Sequence, residues 1–579
     1  MADQGSPARG WAVVLGLLHA ALMLLAFPPF GWWALVFAAP MPLAFAAVMG
    51  RQWGWFSPGV GRWKRRRSLG TGGLVALGVL PLWAYECQWV LDISMLGYWP
   101  MIAVLAGFSA AFVLLVARTG ASVPMVLAVP IAWTALEVVR GEIAFTGYGW
   151  LLLGHPLIDA PGLHSAAGSL GAYFVSFIAA APAGFAIDVM RAPRASRPRR
   201  TRLVSAMAAC AIVAITIAAV LMGRVPSSIA SRVGVAIVQT NVPQSNKLSW
   251  SPDHRLREMA TLERLTHDAA AAKPDVIVWP ETMFPGATLE PEGVASERSA
   301  DLEYEVDPAL SPDGYVPITI FHDRLMALQH KVGVPMVIGA IGVRGLRFER
   351  EAEGILPRFD ARFNSVYVVD RGEVTGERYD KIELTPFGET IPYIGHWPWL
   401  QRWVLDFAAG GMPFNLTPGS GPVRLRLPLG ADSIAADGPV PIVLATPICF
   451  EVTRPALCRR LVVEARRNGS AAVVVNLTND GWFGNFDAGR AQHLQIARWR
   501  CVELGVSMIR AANTGLSALI DEHGLLLTRN SRSRAEMVVT GRIKATGGGT
   551  PYSRIGDVFG WSCVLASIVL AVVKLRGSA

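Results

Sequence analysis

The chain of 579 residues is short of charge: only 17% of it is Asp, Glu, Lys or Arg, while 52% is hydrophobic. Soluble domains carry about 25% charged residues, which excludes a chain made of water-soluble domains alone. Cysteine is scarce as well. The six, at positions 87, 210, 449, 458, 501 and 563, form no C-x-x-C pair, and the ten histidines form no H-E-x-x-H pattern, so no metal site is expected. A Walker-type glycine-rich loop is also missing; GTGG at 70–73 follows a basic stretch and reads as a helix entry. No cofactor is expected.

The formal charge of +9 is unevenly placed. Residues 1–224 hold 16 Lys and Arg against 7 Asp and Glu, and residues 225–579 hold 37 of each, so the whole excess is N-terminal. Twelve of those 16 basic residues sit in two stretches, Arg51 to Arg67 and Arg191 to Arg202, each between long apolar runs. A nucleic-acid surface needs basic residues on a folded face, so no nucleic-acid partner is expected. These stretches read as topology signals.

Crossing a bilayer takes about 20 mostly apolar residues per helix. Seven such windows lie near 11–27, 31–49, 72–90, 98–117, 122–139, 168–189 and 204–222, and an eighth near 556–573. The first lacks a small-residue cleavage site and is followed at once by the second, so it reads as a span and not a cleaved leader. Short loops rich in Lys and Arg stay cytoplasmic. RQWGWFSPGVGRWKRRR joins windows two and three, and RAPRASRPRRTR joins windows six and seven, so both fall on one side of the membrane. Residues 225–553 are then extracytoplasmic. Three parts result: a membrane helical bundle over 1–224, a domain over 225–553, and a final span with a short tail over 554–579.

Residues 225–553 alternate β-branched runs with helical patterns, as in VGVAIVQTNV (233–242), DVIVWPE (275–281), VPIVLATPICFE (440–451) and AAVVVNLTND (471–480). Continuous apolar runs separated by helices predict strands covered on both faces in an α/β sandwich. Two polar segments, 286–314 and 430–439, read as inserted surface loops, candidate lids at most. Glu281, Lys381 and Cys449 each follow a strand-like run where the chain should turn, the place where α/β scaffolds display chemistry. A carboxylate can take a thiol proton and return it to a leaving group. An ammonium lowers a thiol pKa and faces a tetrahedral oxyanion. Without its neighbours, Cys449 alone also reads as a small core residue.

The order WPE, then K-x7-E in KIELTPFGE, then CFE resembles the nitrilase superfamily of carbon–nitrogen hydrolases. NVPQSNKLSW (241–250), YDKIELTPFGETIP (379–392), ICFE (448–451) and NLTNDGWFG (476–484), behind seven apolar windows and before one, resemble the apolipoprotein N-acyltransferase family. FPPFGWW (27–33) and LEVVRGEIAFTGYGWLLLGH (136–155) extend the likeness into the membrane part. The resemblance implies a membrane bundle of about eight spans carrying an αββα nitrilase-like domain in the periplasm of a bacterial inner membrane. It implies Glu281 as general base, Lys381 as oxyanion-stabilising cation and Cys449 as the acyl-accepting nucleophile. Glu389 would support the lysine, Phe450 would lend its N–H to an oxyanion hole, and Glu451 matches a further family position, with a surface ion-pair role equally open. Trp250, separated here from Lys247 by Leu248 and Ser249, is a candidate acyl-chain or lipid contact, and Trp482 is a candidate lipid-facing group with a plain packing role equally open. Arg140 is a candidate for a phospholipid phosphate, with an anchoring role equally open. The implied partners are a phospholipid acyl donor and a diacylglyceryl-apolipoprotein acceptor, handled by a monomer. A membrane-tethered amidase and a non-catalytic lipid transporter are the competing readings; seven spans are superfluous to the first, and the second leaves the ordered Glu, Lys and Cys unexplained.

Overall fold

The computed structural model describes residues 6–576, apart from 53–61, 93–94, 121–122, 192–197, 225–228, 244–250, 352–353, 387, 391–415, 429–439 and 529–530. The chain divides into two compact units, one of Met1–Val225, Asn485–Glu503 and Thr550–Ala579, the other of Pro226–Gly484 and Leu504–Gly549.

The first unit is helical. Each of the eight apolar windows carries a helix: Ser6–Ala26, Met41–Gln52, Arg62–Glu86, Met95–Thr119, Met125–Glu142, Ala172–Arg191, Pro198–Gly223 and Val558–Arg576. Among the described residues, Gly97–Thr119, Ala172–Arg191 and Arg199–Gly223 are long and apolar enough to cross a membrane. The last of these exposes Leu203, Met207, Ile217 and Leu221. A soluble protein rarely leaves so continuous an apolar face in water, and this is a membrane protein. Helices approach closely where side chains vanish. A Cβ on Gly16 would come within 2.5 Å of the Val75 carbonyl oxygen and 2.9 Å of Gly78 Cα, the small-residue contact that lets membrane helices associate. Asp188 accepts from the Met125 and Val126 N–H groups at 3.0 Å each, so a carboxylate satisfies the otherwise unpaired start of the helix Met125–Glu142.

The helix Asp487–Leu504 lies almost wholly within this unit, where the sequence reading had assigned it to the sheet domain 225–553. Its side chains explain the difference. Trp499 Nε1 donates to the His155 carbonyl at 3.0 Å, Gln492 Nε2 to Glu86 at 2.8 Å, Arg498 pairs with Asp159 at 2.7 Å, and Glu503 accepts from the Ala172 N–H at 2.8 Å.

The second unit is built on eleven strands: β1 (Ile229–Gln239), β2 (Val276–Val278), β3 (Met336–Arg344), β4 (Ala361–Asp370), β5 (Glu373–Asp380), β6 (Leu425–Arg426), β7 (Ile442–Ala445), β8 (Ala471–Thr478), β9 (Met508–Ala512), β10 (Ala518–Ile520) and β11 (Met537–Thr546). They run β6-β7-β8-β11-β1-β2-β3-β4-β5, with β9 beside β8 and β10 beside β9. A single residue pair, Ala472 with Thr546, joins β8 to β11. Two blocks result, β11-β1-β2-β3-β4-β5 and β6-β7-β8-β9-β10.

The helix Pro252–Ala270 starts at Ser251, whose hydroxyl accepts from the His254 N–H, with Pro252 in the first turn. Its Leu256, Met259, Leu262 and Leu265 lie at helical spacing, and Phe321, Leu325 and Leu328 of the helix Ile320–Val332 do the same. Both stripes pack on Val238, Ile277, Trp279, Met336, Ile338 and Tyr367. Each such side chain contributes about 1.5–3 kcal/mol on burial. This is the nitrilase-like α/β fold. The segment 286–314 forms the helix Pro291–Ala300 and the hairpin Glu303–Glu305 with Tyr315–Pro317, and its Glu290 accepts from Tyr367 at 2.9 Å. Segment 430–439 lies outside the described residues.

Candidate active site

The carboxyl ends of the strands supply the site. Glu281 follows β2, Lys381 follows β5 directly, Cys449 follows β7 and Asn479 follows β8. Glu281 turns off the sheet over β3 at Gly339, where a Cβ would come within 2.8 Å of Glu281 Cα and 2.3 Å of the Pro280 oxygen. Glycine is therefore required there. Cys449 opens the 3-10 helix Cys449–Thr453 at φ 49°, and Thr282 beside Glu281 has φ 49°. A left-handed non-glycine residue costs on the order of 1 kcal/mol or more and persists only when its surroundings hold it.

Glu451 does the holding. Fully buried, it accepts from the Ile448 N–H at 2.7 Å, the Ile382 N–H at 2.7 Å, the Glu383 N–H at 2.9 Å and the Tyr379 hydroxyl at 2.9 Å. One carboxylate thereby ties the turn carrying Cys449 to the loop carrying Lys381. Burial pushes its pKa up to about 7 against the N–H groups it accepts from. The open question of its direction is answered inward: Glu451 is no surface ion-pair partner.

Lys381 is 1% exposed and Glu281 5%. The Lys381 Nζ lies 2.7 Å from Glu389, 3.0 Å from the Thr385 hydroxyl and 3.5 Å from Glu281. Burial works against the ammonium, but Glu389 and Glu281 outweigh it and hold Lys381 above the usual lysine pKa. Burial likewise opposes the Glu389 carboxylate, and Lys381 more than offsets it, leaving Glu389 below its ordinary value. The other Glu281 oxygen accepts from the Asn479 N–H at 2.7 Å.

The Cys449 thiol departs from the sequence expectation. Burial first, and the Glu281 carboxylate second, push its pKa up, while Lys381 only opposes them. The expected lowering by the ammonium is overridden because the thiol is 7% exposed and shares that one cation with two carboxylates. That direction favours the neutral thiol over the thiolate.

Residues 234–552 match the carbon–nitrogen hydrolase family, and residues 19–185 match the apolipoprotein N-acyltransferase N-terminal domain. The chain belongs to the carbon–nitrogen hydrolase family, in its apolipoprotein N-acyltransferase branch. The apolipoprotein N-acyltransferase of Geobacter metallireducens is 27% identical, over 97% of this chain and 95% of its own. That of Sinorhizobium medicae is 29% identical, over 96% and 94%. Among solved structures, a mutant of the Nesterenkonia AN1 amidase from the nitrilase superfamily is 15% identical, covers 57% of this chain and 96% of its own, and has a TM-score of 0.34.

The carbon–nitrogen hydrolase site contains residues that the sequence reading passed over. Asn364 on β4 donates to Glu281 at 2.7 Å and to Glu389 at 3.0 Å. Behind the Cys449 turn, Arg510 reaches Asn476 at 2.5 Å and Asp480 at 2.9 Å, Asn476 donates to the Pro447 carbonyl at 2.8 Å, and Asn513 donates to Asn479 at 2.9 Å. NLTND carried three of these residues in plain view; Arg510, Asn513 and Asn364 sit in apolar strand contexts with no local signal.

Phe450 is half-buried in the first turn of the 3-10 helix, where a helix leaves its own N–H groups without partners. Trp482 is half-buried in the turn Asp480–Phe483. Trp250 lies outside the described residues. Arg140, in the helical unit, is a correction. Its Nη2 donates to the Trp150 and Leu151 carbonyls at 2.8 and 3.0 Å, and its guanidinium stacks over Trp83 at 5.2 Å. The loop after its helix has Phe145, Thr146 and Leu151 at positive φ, which turns carbonyls inward, and the buried guanidinium satisfies them instead of reaching the membrane surface.

Proposed function

We propose that this chain is a multi-pass enzyme of the bacterial inner membrane that moves an acyl chain from a phospholipid onto an apolipoprotein. The acceptor is the α-amino group of an N-terminal S-diacylglyceryl-cysteine. The observation that carries the reading is a neutral, buried Cys449 on a left-handed turn beside a base and one shared cation.

In the first half-reaction Glu281 takes the Cys449 proton as Sγ attacks the ester carbonyl carbon. The negative oxygen that develops meets the Lys381 ammonium and the Phe450 N–H, donors fixed in place before the reaction. The tetrahedral species collapses, the C–O bond breaks, and the lysophospholipid oxygen leaves with the proton held by Glu281. A thioester remains on Cys449. In the second half-reaction the amine attacks the thioester carbon, Glu281 takes the amine proton, and the C–S bond breaks. Sγ recovers a proton from Glu281, and the product is an amide. Glu389 stays ionised throughout and anchors Lys381. Two half-reactions through one covalent intermediate give ping-pong kinetics.

Eight spans are supported by the eight helical windows, and a periplasmic sheet unit by the two basic loops. Both substrates are embedded in the bilayer, which is why a bundle accompanies the hydrolase unit. Incubating the full chain in lipid nanodiscs with acyl-labelled phospholipid tests the reading. Intact mass should show one acyl group on the wild type and none on Cys449→Ala, and the label should pass to a diacylglyceryl-cysteine peptide as an amide. Release as free fatty acid regardless of the peptide would make the protein a hydrolase, and acylation of Cys449→Ala would remove the nucleophile.

A further inference from the structure

Glu281 and Glu389 present two carboxylates to one ammonium, a buried set with a formal charge of −1 when both are ionised. Two carboxylates so placed tend to retain one proton between them. Lys381 sits closer to Glu389, at 2.7 Å, than to Glu281, at 3.5 Å. Glu281 is therefore the carboxylate that the ammonium neutralises less, and it depends more on a further donor to serve as acceptor toward Cys449.

Asn364 occupies the gap. It is 3% exposed on β4, opposite Ile341 of β3, and its Nδ2 donates to Glu281 Oε1 at 2.7 Å and to Glu389 Oε1 at 3.0 Å. Its Oδ1 is buried with no hydrogen-bond partner among the described residues. That fixes the amide's sense, since the flipped form would aim its oxygen at two carboxylates. An amide donor adds no charge, so it stabilises both anions without displacing Lys381 from either.

We propose that Asn364 is a positioning residue for acyl transfer: by giving one amide hydrogen to each carboxylate, it prevents Glu281 and Glu389 from sharing a proton, so that Glu281 rests as a free base toward Cys449. This rests on the reading of Glu281 and Cys449 given above. The other groups facing the set are Lys381 from the end of β5, the Asn479 N–H after β8, Cys449 after β7, and Asp480, which Arg510 pairs.

The test is the rate of thioester formation against pH in full-length enzyme, read by intact mass with phospholipid in nanodiscs. In Asn364→Ala the acid limb should move up by about one pH unit, so that the variant is roughly ten-fold slower than wild type at pH 6 and approaches it at pH 8.5. Asn364→Asp, which adds a third carboxylate, should move the limb further. Asn364→Ser, which returns one hydrogen, should fall between wild type and Asn364→Ala, and it serves if Asn364→Ala does not fold. A residue that only supports the fold would lower the rate equally at every pH. An acid limb unmoved in Asn364→Ala and Asn364→Asp, in an enzyme that still requires Cys449 and Glu281, overturns this inference alone. Thioester on Cys449→Ala overturns instead the reading beneath it.

Discussion

Replacing Glu451 by glutamine changes one atom of the group that fixes the nucleophile's turn. In the wild type, Oε1 serves the Ile382 and Glu383 N–H groups, and Oε2 serves the Ile448 N–H and the Tyr379 hydroxyl. Glutamine keeps one oxygen, and placing it on the Ile382 side retains two bonds. Its NH2 then faces Tyr379, whose hydroxyl can turn and accept, and the Ile448 N–H, which cannot. One buried N–H loses its partner, at about 1–3 kcal/mol, which corresponds to a fall in melting temperature on the order of 5 °C. Because Ile448 directly precedes Cys449, a displacement of about 1 Å in the thiol is expected to slow acylation on the order of a hundredfold. The pH dependence gives an independent check. Glu451 titrates at about 7 in the fold against an ordinary 4.5. A carboxyl raised by folding adds stability that is fully present below 4.5 and lost as pH rises through 7, on the order of 3 kcal/mol over that window. Glutamine does not titrate and removes that slope. Thermal melts of wild type and Glu451→Gln from pH 5 to 8, with thioester formation by intact mass, test both parts. Equal stability, an equal slope and an equal acylation rate would refute the assignment of Glu451 as the clamp.

Two further outcomes follow from the site. Lys381→Met leaves two carboxylates without their cation, so thioester formation should fall by about a thousandfold, and Cys449 should resist iodoacetamide even more than in the wild type; faster alkylation would show that the lysine does not favour the thiolate. Arg510→Met breaks a pair with Asp480 in which both side chains are at most 1% exposed. Stranding a buried carboxylate should cost about 3–5 kcal/mol, read as a lowered melting temperature that Arg510→Met with Asp480→Asn partly restores.

Much of the site was legible because its key groups follow a strand-end rule. WPE, DKIE and ICFE each put an ionisable residue just past a strand-like run, and those runs are β2, β5 and β7. Asn364 was not legible. Both faces of β4 are buried, so no alternation distinguishes Asn364 from its neighbours, and 83 residues separate it from Glu281. Sheet pairing, not local sequence, brings them together. The direction of the Cys449 pKa was hidden for a related reason: sequence showed the ammonium and the carboxylates but not the depth of burial that outweighs the ammonium. In the helix Asp487–Leu504 the charged and amide side chains of Arg490, Gln492, Arg500 and Glu503 are all buried, and the partners of Gln492 and Glu503 lie on segments far away in sequence.

That helix gives the chain an unusual itinerary. Reading from the N-terminus, the polypeptide leaves the helical unit after Val225, re-enters it at Asn485, departs after Glu503 and returns at Thr550. The sheet unit is thus completed only by a strand group, β9 to β11, that emerges from the ribosome after a helix belonging to the other unit. Synthesis order then couples membrane insertion to enzyme assembly, since Trp499, Arg498 and Glu503 have their polar partners on segments made hundreds of residues earlier. A secreted fragment beginning near residue 226 would carry a helix with buried arginines and nothing to bury them against. A truncation that begins at the start of the sheet unit therefore separates this helix from the segments that hold its side chains.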